Sequence, residues 1–335
     1  RKLCCLILLP TLALQVAAMS RSTSVTETWV CSKGEAGGIS GIALREINAL
    51  GKAQGHPNIA RLLDACVNEK GRVAVKLERP KANLKEYVMS HGALEATLLQ
   101  HLSYHCIRGI AHLHSCGIAH CDLRSAYVHF DPDTAHAVIG NFTMSLDRSM
   151  VLDRSIAHSF LPIHRGRAPE VMLGADLSTW SALRKIDIWG LGCLIAEAAI
   201  GHILFPSDGG YEVSRLFRIF ETLGTPTEET WPGVTMLRHF SARFPQWKAR
   251  SLDMHIQTKY PNAQVSSQCI SLISAMLIYN PEARPSADSL LYHSYFYCGK
   301  QGLEVLSIAN NVAKIGSVVS LSVEHTKHNQ NPQYS

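Results

Sequence analysis

"IAHCDLRSAYVHF" occupies residues 118–130 and sets His120, Cys121, Asp122, Arg124, Tyr127 and His129 among apolar neighbours. Upstream, "LLQHLSYHCIRGIAHLH" gives a long helical stretch over about 95–114. Downstream, "AVIGNF" at 137–142 reads as a strand. A loop rich in acid, base and thiol groups between two regular elements is either an active-site loop or a loop kept for its shape. His120 beside Cys121 offers a base next to a thiol, as in an activated nucleophile. The simpler reading packs His120 in the interior and leaves Cys121 inert. Asp122 is either a catalytic carboxylate or a polar residue held by backbone hydrogen bonds. His101 and His105 stand i, i+4, which puts two metal-ligand types on one helix face. No third acid or histidine partners them in the sequence, so a surface or packing role is expected.

The chain has 335 residues, enough for one large domain or two ordinary ones. With 46% hydrophobic and 18% charged residues, a folded chain is expected. The net charge of +5 is diffuse and contains no Lys/Arg run of five, so nucleic acid is not indicated as a partner. Ten cysteines occur without a C-x-x-C pair, which leaves zinc-ribbon and thioredoxin-like readings unsupported. Scattered thiols suit a reducing compartment, the cytoplasm or nucleus. "RKLCCLILLPTLALQVAAMS" (1–20) has the pattern of a signal peptide but is interrupted by Pro10. It is equally read as a translated upstream region, with Met19 as the start. The secretory route is disfavoured, and no membrane is expected unless residues 1–18 belong to the protein. The lone sequon, Asn141-Phe142-Thr143, lies near the opening loop rather than on an evident surface segment.

Residues 1–38 have no steady period and end in the glycine-rich "KGEAGG". "ISGIALREINAL" (39–50) places Ile39, Ile42 or Ala43, Ile47 and Leu50 on one helical face. "GRVAVKLER" (71–79) is strand-like, and "KIDIWGLGCLIAEAAIG" (185–201) is a helix apolar enough for burial on most sides. Further helices are expected near 209–223 and 265–278, and a polar tail follows Gly299. Few strands followed by many helices predict an α+β chain, with a small mixed lobe before a mainly helical one.

From about Gly38 to Phe296 these motifs, in this order, resemble a eukaryotic protein kinase, most similar to the cyclin-dependent (CMGC) Ser/Thr kinases. "ISGIALREI" (39–47) is similar to the cyclin-binding helix of that group, "RAPEVMLG" (167–174) to the end of an activation segment, and "DIWGLGCLIAE" (187–197) to the central helix of the large lobe. "LFPSDGGYEVSRLFRIFETLGTPTEETWPGV" (204–234), "FPQW" (244–247) and "MLIYNPEARPSADSLLYHSYF" (276–296) resemble the later segments. The resemblance implies a bilobal fold, with an atypical segment 1–38, an N-lobe remnant 39–80, a C-lobe 81–298 and a tail 299–335. It implies a buried Glu170–Arg284 ion pair, Asp187 bonded to the catalytic-loop backbone, and a spine of His120, Phe142, Leu50 and Leu62. It also implies ATP and Mg²⁺ as cofactors and a cyclin-like partner on the 39–50 helix.

The residues of the chemistry depart from the family pattern. Asp122 matches the catalytic Asp, and Arg124 keeps the charge of the Lys that contacts the γ-phosphate. Cys121 replaces an Arg, Tyr127 replaces the metal-binding Asn, and Asn141-Phe142-Thr143 stands for Asp-Phe-Gly. Mg²⁺ prefers hard oxygen ligands, so both metal positions are weakened. No Gly-rich loop precedes Glu46, and Lys33 is the one candidate for the Lys that pairs with Glu46 and the phosphates. "VAVK" (73–76) follows the Glu46 helix and is a decoy. Counting back from "NLKEY" puts Pro80, which has no N–H, at the hinge donor, while His129 falls on the adenine floor. His158 and Ser159 stand where an activating phosphothreonine would be, and Ile163 replaces a Thr. These departures speak against ATP and Mg²⁺ binding. The chain reads as a pseudokinase acting through binding, with a weakly active Ser/Thr kinase or a decayed homologue as alternatives.

Overall fold

The computed structural model of the chain describes residues 25–31, 41–67, 73–80, 82–150, 167–207, 209 and 211–297, with 25–31 and 150 described by their backbone. The front lobe is a three-stranded antiparallel sheet of β1 (Val25–Cys31), β2 (Arg61–Val67) and β3 (Val73–Pro80), in the order β1-β3-β2. β3 is central, and its Val73, Val75 and Leu77 are buried. β1 lies within the stretch whose pattern predicts no element. The lobe therefore begins at least fourteen residues before the expected boundary at 39 (Val25 against Ile39). β1 is an edge strand, and pairing with β3 fixes it more than its own mixed polar sequence does.

α1 (Gly41–Lys52) forms where a helix is predicted, and on the expected face Ala43 and Leu50 are buried while Ile47 packs half-buried against the core. Ala43, Glu46, Ala49 and Leu50 point inward, whereas Ile42 is 38% and Leu44 53% exposed. The two alanines let the helix approach its neighbours closely, and Glu46 goes inward with them. Of the two candidates Ile42 and Ala43, the helix buries Ala43, and Ile39 lies outside the described residues.

The large lobe is built on α3 (Ala96–Ser115) and α5 (Trp180–Ile200), with α2 (Leu84–His91) and α4 (Pro169–Met172) before them and between them. α6 (Glu212–Leu223), α7 (Leu252–Lys259), α8 (Ser267–Met276) and α9 (Ala287–Leu290) complete it among the described residues. α5 starts one turn earlier than its apolar run, because the Thr179 side chain caps it by accepting from the Ala182 N–H at 3.1 Å. Short strands β4 (Ile118–Ala119) and β7 (Leu146–Asp147) pair, as do β5 (Val128–Asp131) and β6 (His136–Ile139). Together they frame residues 120–127.

Two glycines set this frame. A Cβ on Gly109 of α3 would lie 2.8 Å from Ile139 Cδ1 and 3.1 Å from the Asn58 carbonyl oxygen. A Cβ on Gly190 of α5 would press on Leu123 at 3.3 Å. Small residues here let α3 lie directly against β6 and Asn58, and α5 against the loop. Among the described residues no helix is long and apolar enough to cross a membrane.

Candidate functional site: the cleft around the 120–127 loop

The loop takes its shape from one carboxylate. Asp187, buried on α5, accepts the Cys121 N–H at 2.7 Å through Oδ1. Its Oδ2 accepts the His120 N–H at 2.8 Å and the His114 Nε2–H at 2.9 Å. Hydrogen bonds to a charged acceptor contribute about 1.5–3 kcal/mol each. They hold Cys121 at φ 62°, in the left-handed region that a non-glycine residue rarely adopts. His120 is wholly buried: Nε2–H donates to the Gly140 carbonyl at 3.1 Å, and Nδ1 accepts the Asp122 N–H at 3.2 Å. That pattern needs a neutral ring, and burial lowers its pKa accordingly. Burial, and then the Asp187 charge, push the Cys121 thiol well above its ordinary range. The thiol stays protonated, so the pair is not an activated nucleophile.

His120 and Phe142 pack at 5.3 Å between ring centroids, and Leu50 is fully buried above the lobe junction. Leu62 is half-buried against the same core. Across the lobe, Glu170 on α4 meets Arg284 in a bidentate pair of 2.6 and 2.7 Å. Arg284 also donates to the Ile278, Lys185 and Tyr279 carbonyls, and lies over Trp189 at 5.0 Å.

Asp122 is 2% exposed, and burial outweighs the Arg124 charge to raise its pKa to about 6. Arg124 approaches Asp122 from Nε and Nη2, each at 3.3 Å. The same guanidinium lies over the Tyr127 ring at 4.2 Å and donates to its hydroxyl. Asn141 has φ 59°, which Asn tolerates. Its Oδ1 accepts from the Thr143 hydroxyl at 2.6 Å and from the Thr143 N–H at 3.4 Å.

α1 is docked over this segment. Lys52 and Asn48 both bond the Asp147 carboxylate, and Arg45 Nε reaches the Thr143 carbonyl at 3.5 Å. Glu46 is 4% exposed; burial raises its pKa, opposed by the Phe142 N–H and the Arg79 charge. Arg79, near the end of β3, reaches into the cleft, where its Nη1 lies 2.9 Å from Nδ1 of His129 on β5. Lys33, His158, Ser159 and Ile163 lie outside the described residues.

A protein kinase domain model matches residues 30–296. The chain belongs to the protein kinase family. Its small strand-bearing lobe and helical large lobe are those of a kinase domain. Kinases use ATP and Mg²⁺, so the residues at those positions decide whether either fits. At the positions that the resemblance assigns to the metal, Asn141 offers a neutral oxygen already accepting from Thr143, and Tyr127 offers a phenol engaged by Arg124. Neither supplies the anionic oxygen that Mg²⁺ favours, and these residues do not fit the ion. Pro80 has no N–H for a ligand at the lobe connection.

Sequence reasoning missed three participants. Arg79 sits in no motif; its signal was strand alternation, which puts it on the face of Val75 and Leu77. His114 was an ordinary helix residue until α5 brought Asp187 to it. His136 packs against His105 at 5.6 Å, with His101 6.3 Å from His105. Among the described residues no group of three His, Cys, Asp or Glu side chains is placed to hold a metal.

Proposed function

We propose that this chain is a cyclin-dependent-kinase-like pseudokinase of the CMGC group that works as a binding or regulatory module. One observation carries the reading: the Asn141 amide oxygen and the Tyr127 hydroxyl, at the two metal positions, are both spent on bonds inside the protein. Phosphoryl transfer depends on metal-held phosphates, and Asp122 alone does not replace them. α1 keeps Ile42 and Leu44 outward and is the face for a cyclin-like protein partner. Free thiols among the described residues, such as Cys66 and Cys116, suit the cytoplasm or nucleus.

A weakly active Ser/Thr kinase is the second reading. It is favoured by Asp122, whose pKa of about 6 leaves it ionised at pH 7 and able to accept from a substrate hydroxyl. Labelled-phosphate transfer to a generic Ser/Thr substrate separates the two. Wild type and Asn141→Asp are both expected at the background of Asp122→Asn, because several independent parts are missing. Robust transfer by either would refute the pseudokinase reading.

A further inference from the structure

We propose that Arg79 is a built-in occupant of the nucleotide cleft, its guanidinium joining the two walls where an adenine ring would otherwise lie. The inference deepens the pseudokinase reading and rests on the same assignment of positions.

Four observations converge on it. Arg79 follows Val75 and Leu77 on one face of β3, so its side chain leaves the strand toward the cleft. The opposite wall is His129, 6% exposed and laid against Gly140, where an added Cβ would lie 3.3 Å from the ring Cδ2. Arg79 Nη1 meets this ring, 2.9 Å from Nδ1 and in contact with Nε2. Beyond it, the Arg79 charge acts on the buried Glu46 carboxylate of α1. One side chain thus joins the end of β3 to the His129 wall, and its charge is felt by Glu46 on α1.

The His129 ring also bonds back to the connection it faces. The ring faces the Ala82 and Pro80 carbonyls, and the His129 backbone forms a β-bridge with Asn83. A neutral imidazole satisfies both sides: one nitrogen accepts from Arg79, and the other donates to a carbonyl. Burial and the Arg79 charge bring its pKa down to about 4, so the ring is neutral at pH 7. An entering nucleoside would displace a charged group from His129 and from the vicinity of Glu46, and Pro80 would return no N–H in exchange. Losing the cation leaves a buried carboxylate poorly compensated, so the neutral base does not displace it.

Adenosine in EDTA isolates this claim, since it has neither phosphates nor a need for metal. Binding is read by calorimetry and thermal shift on the full chain, with near-UV circular dichroism as the check on folding. Wild type is expected to give no binding at 1 mM, on the order of the weakest affinity such titrations read. Arg79→Ala is expected to bind at least about tenfold more tightly than that limit. The double variant Arg79→Ala/Glu46→Gln removes both charges, keeps the fold from resting on an unpaired Glu46, and is expected to bind likewise. Measurable adenosine binding by wild type overturns the proposal, whatever the variants do. So does a folded double variant that remains blind to adenosine. Phosphotransfer by wild type would instead sink the pseudokinase reading, and a gain of adenosine binding without transfer supports both.

Discussion

Arg284 has its guanidinium wholly buried, and all its donors go to Glu170 or to carbonyls of the 185 and 278–279 segments. Nothing local in the sequence pairs Glu170 with a residue 114 positions away; the family motifs alone link them. The energetics are lopsided. Removing one partner strands a buried charge at a cost of about 3–5 kcal/mol, whereas removing both costs far less. Arg284→Met should therefore lower the urea midpoint strongly, and Glu170→Gln/Arg284→Met should recover much of the loss. A double variant no better than the single one would show that the loss lies in packing against Trp189. The structure brings Asp122, Asn141 and Tyr127 to the segment around the 120–127 loop, as the order of their motifs led one to expect. Their bonding was not legible. That Asn141 turns onto Thr143, and Arg124 onto Tyr127, depends on which acceptors the folded backbone presents.

At the scale of elements, helices with long apolar runs were readable and edge strands were not. α3 emerges within a residue or two of its sequence limits, and α5, whose burial on nearly all sides is written in its composition, emerges with its start five residues early. β1 has no such signature, since its partner strand lies over forty residues away (Thr28 opposite Leu77). α3 also carries a consequence for acid stability. His105 on α3 and His56, which stacks on His112 of α3 at 4.5 Å, are both pushed to about 3, chiefly by burial and then by neighbouring histidines. Their folded pKa values lie below the unfolded value near 6.5, so the unfolded chain binds more protons between those limits. The stability tied to neutral rings is complete above pH 6.5 and is lost as pH falls from there toward 3. Each such ring gives a slope of about 1.4 kcal/mol per pH unit in that window. Denaturant midpoints should fall steadily from pH 7 to pH 5, and His105→Gln should flatten the dependence by about one proton. An unchanged slope in that variant would place the acid sensitivity elsewhere.

Across the whole molecule, the frame of a kinase is present, and the proposed function holds that its chemistry has gone. Asp187 still shapes the loop, Phe142 still packs on His120, and α1 still docks over the 141–147 segment through Asn48 and Lys52. These contacts hold the two lobes in one arrangement and present a helix with outward Ile42 and Leu44. In the proposed reading, the positions that would handle phosphate and metal are instead closed onto the protein itself. The bilobal organisation was legible because many weak motifs occur in a fixed order. The self-closure of the cleft was not, because it joins residues from β3, β5 and α1 that meet only after folding. The most direct test of the central claim is the thermal stability of the full wild-type chain with ATP, with and without Mg²⁺. A ligand at 100 times its dissociation constant adds about 2.7 kcal/mol of stability. The account predicts no shift in either condition. A Mg²⁺-dependent rise in the melting temperature would contradict it.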